Sequence, residues 1–388
     1  MSAPKTLIID DAIPYAQEIF SHLGNVITVP GKEINAQTVQ HADALIVRSR
    51  TQVNQALLEN SAVQFVGSTV VGLDHIDQAY LQQRNIPFYS AQGCNANSVA
   101  EFIITALFDL AEHFQFELTK KTLGIVGVGH VGRLVHQKAS ALGIHCLLND
   151  PPRARTEKGG GENSQNKFVS LDTCLTADII TFHTPLTTCG EDATLDLLSA
   201  ERLKKIQPQQ ILINAARGGI INEQAWQQTQ TLANVIDCWE SEPNISESLY
   251  QTAYLATPHI AGHSLEAKVA GSEMVYHALC KAWEIAPKND WKKFLPPPPK
   301  PIHLTEQATL QQTLQQTLQQ LFTQTHNIHQ DDQAIRANNL KAVHQKYEHY
   351  RRNYPIYREW HCHTINTNHN QTLNKLLQKL NFKIKPND

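Results

Sequence analysis

The feature that most constrains the fold is a glycine motif at the end of an apolar segment. The segment Thr122–Val128 reads TLGIVGV, and the hexapeptide GVGHVG occupies Gly127–Gly132. Apolar residues then recur at helical spacing through Leu142, which places the motif between a strand and a helix. In that context the three glycines permit a tight turn, approach of backbone to a pyrophosphate, and close helix–strand packing. The pattern therefore predicts a dinucleotide-binding βαβ unit.

The residues around this motif indicate which dinucleotide binds. Asp150 ends the next predicted strand, at the distance where an acidic residue accepts hydrogen bonds from the adenosine ribose. A carboxylate there would repel the 2′-phosphate of NADP, whereas the nearby Arg153 and Arg155 favour it. We weigh the aspartate more heavily because it lies at the strand end. We predict NAD as the cofactor, with its phosphates at a helix N-terminus, and contacts at Gly127, Gly129, His130, Val131, Gly132 and Asp150.

Three further side chains follow apolar segments in chain order. Arg217 lies in NAARGG, Glu242 in DCWESEP and His259 in TPHIAG. A guanidinium matches the planar geometry of a carboxylate, and histidine exchanges protons near neutral pH. A carboxylate on the second ring nitrogen of a histidine fixes its tautomer and stabilises the imidazolium. The set predicts an enzyme that removes a proton and a hydride from a 2-hydroxy acid.

Alternating strands and helices predict an α/β fold built from two Rossmann-like, doubly wound domains, with a flavodoxin-like substrate domain and an NAD-binding domain. The helix predicted over Ser264–Ile285 would return to the first domain and make it discontinuous. Four consecutive prolines, 296–299, indicate a boundary before the tail. We therefore expect a substrate domain at residues 1–97 and 259–290, an NAD-binding domain at 98–258, and a C-terminal domain at 291–388.

The tail is predicted to be a small α+β dimerisation domain. The TLQQ repeats within Gln307–Leu321 place four leucines on one helical face, namely Leu310, Leu314, Leu318 and Leu321. A β-like stretch at Glu359–Ile365 and a helix at Gln371–Leu380 complete the unit. Because so small a unit covers its own apolar stripe poorly, we expect the tail to pair two subunits.

Composition argues against several other classes of protein. A net charge of −3 and 18% charged residues give no reason to bind nucleic acid or an anionic membrane. We find neither a signal peptide nor an apolar run long enough to span a bilayer. The seven cysteines are scattered without a CxxC pair, which favours a reducing compartment and hence the cytoplasm. His361 and His363 form only an HxH pair, so we expect no metal.

These motifs together resemble the D-isomer-specific 2-hydroxyacid dehydrogenases. The resemblance covers almost the whole chain and rests on DALIVRS, GLDHID, GCNANSVAE, GIVGVGHVG, NDPPRA, TFHTPL, ILINAARGG, DCWESEP and TPHIAG. The tail segments DDQAIR and YRRNYPIYREW resemble the dimerisation domain of one branch of the family, which general 2-hydroxyacid dehydrogenases lack.

The resemblance implies that NAD oxidises 4-phospho-D-erythronate at C2 to 2-oxo-3-hydroxy-4-phosphobutanoate, a step of pyridoxal 5′-phosphate (vitamin B6) biosynthesis. It implies a homodimer in which Arg217 and Glu242 are active-site residues and His259 donates or accepts the proton. Further NAD contacts are implied at Thr184, Ala215, Ala216, Arg217, Asp237 and Gly262.

The same resemblance implies substrate contacts at Ser49 and His263, with Arg48 as a phosphate partner. This chain departs from the family at Val70 and at His263, two positions that line the substrate in the family and where threonine and tyrosine are common. We also hypothesise that one of three tail arginines approaches the substrate phosphate across the dimer, namely Arg351, Arg352 or Arg358.

Two other functions are compatible with the same residues. A broader D-2-hydroxyacid dehydrogenase, acting on phosphoglycerate or hydroxypyruvate, would use the same catalytic set and differ mainly in its tail. A non-catalytic NAD-sensing protein is the alternative from a different class, since some relatives of this fold act as corepressors. The complete set of substrate-loop motifs favours an enzyme.

Overall fold

A computed structural model describes residues 4–157, 167–304, 313–337, 339–368 and 370–386 of the 388-residue chain. The chain forms two compact units. The first contains the described residues of Met1–Asn95 and His263–Pro298, and the second those of Ala96–Gly262 and Pro299–Asp388. Within the described ranges, no helix combines the length and the apolarity needed to cross a membrane.

The first unit is built on a parallel five-stranded sheet with strand order β2-β1-β3-β4-β5. This order is that of flavodoxin-like folds. Side chains alternate between the two faces, so Leu7 and Ile9 join one apolar core and Ile8 joins the other. The strands are β1 Thr6–Asp10, β2 Asn25–Val29, β3 Ala44–Val47, β4 Phe65–Ser68 and β5 Phe88–Ser90.

Helices cover both faces of this sheet. The long helix Leu265–Ala282 contributes Val275 and Leu279 to the core that contains Leu7. The other α-helices are Ala16–Phe20, Ala36–Val39, Gln55–Leu58 and Gln78–Gln83, with 3₁₀ turns at Ser21–Leu23 and Asp290–Phe294.

The second unit is built on a parallel six-stranded sheet with strand order β11-β10-β9-β8-β6-β7. The chain reverses its winding direction at β6, between β7 and β8, and ligands bind at such switch points in open α/β sheets. The strands are β6 Thr122–Val126, β7 His145–Asn149, β8 Ile179–Phe182, β9 Ile211–Asn214, β10 Ala233–Ile236 and β11 Leu255–Ala256.

Helices flank this sheet as well, and the two longest lie on either side of the glycine motif in sequence. They are Ala96–His113 and His130–Ala141. Shorter α-helices are Pro151–Glu157, Leu171–Cys174, Ala200–Leu203, Glu223–Trp226 and Glu247–Thr252, with a 3₁₀ turn at Leu118–Lys120.

The tail adds a parallel three-stranded sheet with order β12-β13-β14, in which β12 is Ile302–His303, β13 Thr364–Asn366 and β14 Lys383–Ile384. Its described helices are Leu314–Thr325, Ile328–Ile335, Leu340–Arg352 and Gln371–Lys379, with a 3₁₀ turn at Trp360–Cys362. The predicted α/β class, with two Rossmann-like domains and a small C-terminal α+β element, is confirmed by these three sheets.

The leucine stripe of the tail is covered within its own chain. Leu318 and Leu321 are buried in the apolar core of the second unit, and the Phe322 ring lies 5.0 Å from the Phe108 ring. Leu314 stays exposed, and Leu310 lies outside the described residues. The buried part of the stripe therefore needs no second subunit to cover it, contrary to the reasoning from sequence.

Apolar runs in the sequence predict strands at Gln64–Val66, Thr122–Val128, Ile179–His183 and Asn234–Asp237, and each is present with its ends displaced by at most two residues. β10 ends at Ile236, which leaves Asp237 just beyond the strand. The strands β2 and β5 lie outside the predicted runs, and the side chains of both are exposed or only partly buried. Apolar residues at helical spacing predict a helix over Ser98–Leu118, which the structure has at Ala96–His113.

Candidate active site

The predicted histidine and carboxylate form a hydrogen-bonded pair. Nδ1 of His259 lies 2.9 Å from one oxygen of Glu242 and 3.1 Å from the other. Both side chains are about three-quarters buried, with 26% and 22% of their surface exposed. The carboxylate therefore fixes the ring orientation and directs Nε2 away from Glu242. We refer to His259 and Glu242 as the dyad.

Glu242 is held in its charged form. Burial alone would raise the pKa of its carboxyl group, but the charge and hydrogen bond of His259 lower it. The Trp239 N–H, which donates to Glu242 Oε1 at 2.9 Å, and the charge of Arg351 add to this effect. The result is a pKa of about 2. The dyad thus keeps a negative charge beside the imidazole at neutral pH.

The loop that carries His259 is fastened to Asp237. The Asp237 carboxylate is buried and accepts hydrogen bonds from Thr257 Oγ1 at 2.7 Å, Ile260 N at 2.8 Å and Ala261 N at 3.1 Å. The Asp237 carbonyl accepts the His259 N–H at 2.8 Å. His259 itself has a φ of 55°, in the left-handed region that non-glycine residues seldom adopt. The side chain of Asp237 therefore shapes the histidine loop.

The loop after β9 brings Arg217 to the same end of the sheet. The Asn214 side chain accepts the Ala216 N–H at 3.1 Å and donates to the Arg217 carbonyl at 2.9 Å. A Cβ at Gly218 would lie 2.1 Å from the Trp239 carbonyl, so glycine is needed for the two loops to approach. Arg217 and Glu242 are thereby carried on adjacent, closely packed loops.

The glycine motif has the shape that a dinucleotide requires. Gly127 has a φ of +87°, and a Cβ at Gly132 would lie 2.0 Å from the Gly127 carbonyl oxygen. Around Gly129, in contrast, a Cβ would meet no described atom within 4 Å. Gly129 also begins the helix His130–Ala141 without a side-chain cap in the described structure. Its first N–H groups, including those of His130 and Val131, therefore remain available to an anion.

The residues predicted to contact the rest of the cofactor lie at the ends of neighbouring strands. Thr184 follows β8, and its hydroxyl is buried without a hydrogen-bond partner among the described residues. Ala215 and Ala216 follow β9, and Gly262 ends the histidine loop. The buried, unpartnered Thr184 hydroxyl and the open space at Gly129 fit a bound dinucleotide.

The environment of Asp150 bears on the choice between NAD and NADP. Its carboxylate accepts the Val128 N–H at 2.8 Å and the Arg153 N–H at 3.1 Å, which leaves further lone pairs for ribose hydroxyls. The Arg153 guanidinium is bonded to Glu157 and to the Val128 carbonyl. Arg155 is paired with Asp192. Both arginines thus have carboxylate partners that would compete with a 2′-phosphate.

The dyad and Cys238 together form a group of side chains of the types that bind metal ions. The donor atoms of Cys238, Glu242 and His259 all lie within 4.8 Å of one another. Burial, together with the charges of Asp237 and Glu242, raises the pKa of the Cys238 thiol well above its ordinary range. A protonated thiol is a poor metal ligand, so this group does not favour a resident metal ion.

The predicted substrate residues Arg48, Ser49 and His263 belong to the first unit. Arg48 donates to the Ala12 carbonyl at 3.2 Å. Sequence reasoning missed Lys268 of the same unit, whose pKa is lowered to about 8 by burial and by the positive charge of Arg48. Two cations that influence each other in this way make the local electrostatic potential positive, which neither motif nor spacing could have indicated.

Comparison with known proteins identifies the family. The chain is 60% identical over 384 residues to the erythronate-4-phosphate dehydrogenase of Hydrogenovibrio crunogenus, covering 99% of this chain and all of the relative. The chain belongs to the erythronate-4-phosphate dehydrogenase family. A second member, from Ruthia magnifica subsp. Calyptogena magnifica, is 48% identical over 355 residues, which are 92% of this chain and 96% of the relative.

Two domain families match separate parts of the chain. Residues 105–261 match the NAD binding domain of D-isomer specific 2-hydroxyacid dehydrogenases. Residues 294–380 match a domain of unknown function, DUF3410. The predicted family and the predicted class of enzyme, an NAD-dependent 2-hydroxyacid dehydrogenase, are therefore confirmed.

Solved structures support the fold. The chain is similar to an NAD-dependent formate dehydrogenase from Staphylococcus aureus, determined in complex with NAD, with a TM-score of 0.60 and 22% identity. The similarity covers 74% of this chain and 98% of that chain. At this level of identity the comparison supports the architecture, while the chemistry depends on the residues described above.

Proposed function

We propose that this protein oxidises 4-phospho-D-erythronate at C2, with NAD as the hydride acceptor, in the biosynthesis of pyridoxal 5′-phosphate. The observation that carries the proposal is the His259–Glu242 pair, 2.9 Å apart, on loops that follow the strands of an NAD-binding domain. Relatives named for this activity, at 60% and 48% identity, support the choice of substrate.

The dyad supplies the proton chemistry. Nδ1 of His259 is hydrogen-bonded to the Glu242 carboxylate. Nε2 is therefore the nitrogen that accepts the proton of the substrate's C2 hydroxyl. The O–H and C2–H bonds break as the carbonyl forms, and the negative charge of Glu242 stabilises the resulting imidazolium. NAD bound at the glycine motif would supply the hydride acceptor. Arg217 pairs with the substrate carboxylate, which aligns C2 for the transfer.

The phosphate of the substrate needs cations of its own. We propose that it uses Arg48, the phosphate partner that the family resemblance implies, and Lys268, whose pKa is lowered by burial and by the charge of Arg48. Neither Arg48 nor Lys268 is one of the two positions, 70 and 263, at which this chain departs from the family pattern. The proposed phosphate contacts therefore do not depend on those two departures.

We also infer a homodimer that uses the tail, in a reducing compartment such as the cytoplasm. Ile356 of the tail is 71% exposed, the highest exposure of any large apolar side chain among the described residues. None of the seven cysteines, all of which are described, forms a disulfide. Light scattering of Ile356→Asp tests the dimer, since a dimer through this face should become a monomer. An unchanged mass would place the contact elsewhere.

The proposed chemistry is tested with His259→Asn. We expect turnover of NAD with 4-phospho-D-erythronate to fall by roughly 10²–10⁴-fold while NAD binding stays within a few fold. His145→Asn is the matched control, since His145 is an exposed residue of β7. Unchanged turnover in His259→Asn would refute the role of the dyad.

A panel of phosphoglycerate, hydroxypyruvate and 4-phospho-D-erythronate tests the substrate. Preference for either of the first two would favour the broader dehydrogenase. Tight binding of NAD without turnover of any member would favour an NAD-sensing protein.

A further inference from the structure

The tail helix Leu340–Arg352 packs against the segments of the second unit that carry the dyad. Val343 and Tyr347 of this helix are buried in the same apolar cluster as Trp239 and Ile245, which flank Glu242 in sequence. Arg351 follows Tyr347 by four residues, so the two side chains share one face of the helix. The helix therefore presents an arginine toward the loops that carry the dyad.

Arg351 is bonded to the backbone of the catalytic histidine. Its Nε donates to the His259 carbonyl at 3.3 Å. His259 has a φ of 55°, a conformation that costs an L-residue free energy and persists only where its surroundings enforce it. Asp237 holds the N–H groups of residues 259–261 through its carbonyl and carboxylate, and Arg351 holds the carbonyl group of residue 259. The loop is thus fixed on both sides.

Arg351 also acts on the dyad through its charge. It lowers the pKa of Glu242, in addition to the larger effects of His259 and the Trp239 N–H. The other titratable groups around the dyad are Asp237, the Cys238 thiol, the Tyr347 hydroxyl and Arg217. Asp237 is buried and bonded to backbone, and burial keeps both the thiol and the phenol protonated at neutral pH. Arg351 is therefore a cation that favours the charged form of Glu242.

We propose that Arg351 is a positioning residue for the His259–Glu242 dyad, which makes the tail part of the active site of its own chain. The inference rests on the proposed function, because it assumes that the dyad exchanges the substrate proton. It gives Arg351 a different role from contact with substrate phosphate across a dimer. The arginine holds the histidine loop in its left-handed conformation and stabilises the carboxylate that orients the ring.

The test compares Arg351→Met and Arg351→Lys with Lys341→Met, which removes an exposed charge from the first turn of the same helix. We expect Arg351→Met to lower kcat by roughly ten- to a hundredfold, because small misplacements of a catalytic group are costly. The KM values for NAD and for 4-phospho-D-erythronate should change by less than about threefold, as expected when an interaction matters mainly in the transition state. Lys341→Met should match the wild type in all three constants.

The pH–rate profile separates positioning from a purely structural role. Loss of a nearby cation lets the dyad keep its proton to higher pH, so the acidic limb of kcat should move upward by on the order of half a pH unit in Arg351→Met. Arg351→Lys retains the charge, so its acidic limb should stay at the wild-type position while kcat remains reduced.

Three results would overturn the inference. A raised KM for the phosphorylated substrate with unchanged kcat would make Arg351 a substrate contact. Equal kcat in Arg351→Met and Lys341→Met would show that the bond to the His259 carbonyl is dispensable. A lower kcat with no displacement of the acidic limb would indicate a general loss of structure. If His259→Asn is inactive in the same assays, each of these results refutes the role of Arg351 alone. An active His259→Asn would refute the proposed function itself.

Discussion

Replacing Glu242 with glutamine tests the electrostatic contribution of the dyad. The structure lowers the pKa of this carboxyl from 4.5 to about 2, through His259, the Trp239 N–H and Arg351 acting against burial. A displacement of that size corresponds to about 3 kcal/mol of preference for the charged form in the folded state. Glutamine keeps the shape and one acceptor oxygen but carries no charge. The substitution therefore removes the charge while preserving most of the packing.

The first consequence is a change in how stability depends on pH. A carboxyl whose pKa is lowered on folding stabilises the protein fully above its unfolded pKa, and this contribution is lost as pH falls toward the folded pKa. The window here runs from about pH 4.5 down to about pH 2. Glu242→Gln should be less stable than the wild type at pH 7 by up to about 3 kcal/mol. The two proteins should converge as the pH falls through this window.

The second consequence is kinetic. We expect kcat to fall by roughly 10²–10⁴-fold, because the imidazolium formed during oxidation loses its counter-charge. The acidic limb of the pH–rate profile should move to lower pH, since the dyad releases its proton more easily without the carboxylate. Urea unfolding followed by tryptophan fluorescence between pH 7 and pH 3, with steady-state kinetics across pH, measures both effects. A stability difference that stays constant from pH 7 to pH 3, or an unmoved acidic limb, would refute this account of Glu242.

Three further predictions follow from the cofactor and phosphate residues. Asp150→Ser should narrow the ratio of kcat/KM for NAD over NADP, and a wild-type preference for NADP would contradict the role of Asp150. Gly132→Ala should destabilise the protein by about 1–3 kcal/mol and weaken NAD binding, since its Cβ would lie 2.0 Å from the Gly127 carbonyl oxygen; an NAD titration and a melting curve decide this. Lys268→Met should raise the KM for 4-phospho-D-erythronate by roughly tenfold and leave the KM for NAD unchanged. An equal effect on both substrates would exclude a phosphate role.

The parts of this molecule that sequence predicts well are those encoded over short distances. The glycine motif lies within one strand–turn–helix, and its three glycines serve in the structure as the spacing indicates. The sequence also predicts strands at Ala44–Val47, His145–Asn149 and Ile211–Asn214, each from a short run of apolar residues, and the structure has all three with the same bounds. Arg217, Glu242 and His259 follow the parallel strands β9, β10 and β11, so the topology of the sheet carries them to one edge.

The features that sequence could not predict depend on contacts between distant residues. Helical spacing predicts that Leu318 and Leu321 share one face of a helix, but it does not predict which residues pack against that face. Those residues lie about two hundred positions earlier in the chain. Gln315 makes two such contacts between residues far apart in sequence. Its side chain accepts the Leu118 N–H at 2.9 Å and donates to the Phe116 carbonyl at 2.9 Å. The bond from Arg351 to His259 spans 92 residues and has no counterpart in local patterning.

A buried cluster of ionisable and polar side chains joins the tail to the helix Ala96–His113 within the second unit. Glu101, on the helix Ala96–His113, accepts hydrogen bonds from the Tyr357 hydroxyl at 2.8 Å and the Trp360 N–H at 3.0 Å, both in the tail. Asn97 bridges Glu101 and Glu359 at 2.8 and 2.6 Å, and Lys138 lies 3.9 Å from Glu101. Burial raises the pKa of Glu101 to about 8, against the opposing charge of Lys138.

Such a cluster adds little net stability, because the free energy of removing its ionisable groups from water is about as large as the free energy gained from their interactions. Its hydrogen bonds, however, are satisfied in only one register of the tail, since a displaced tail would leave a buried carboxyl without donors. That register also places Arg351 against the His259 carbonyl. The cluster at Glu101 and the bond at His259 therefore act together. The cluster at Glu101 favours one register of the tail. In that register Arg351 lies within hydrogen-bond distance of the carbonyl of His259, the histidine proposed to exchange the substrate proton.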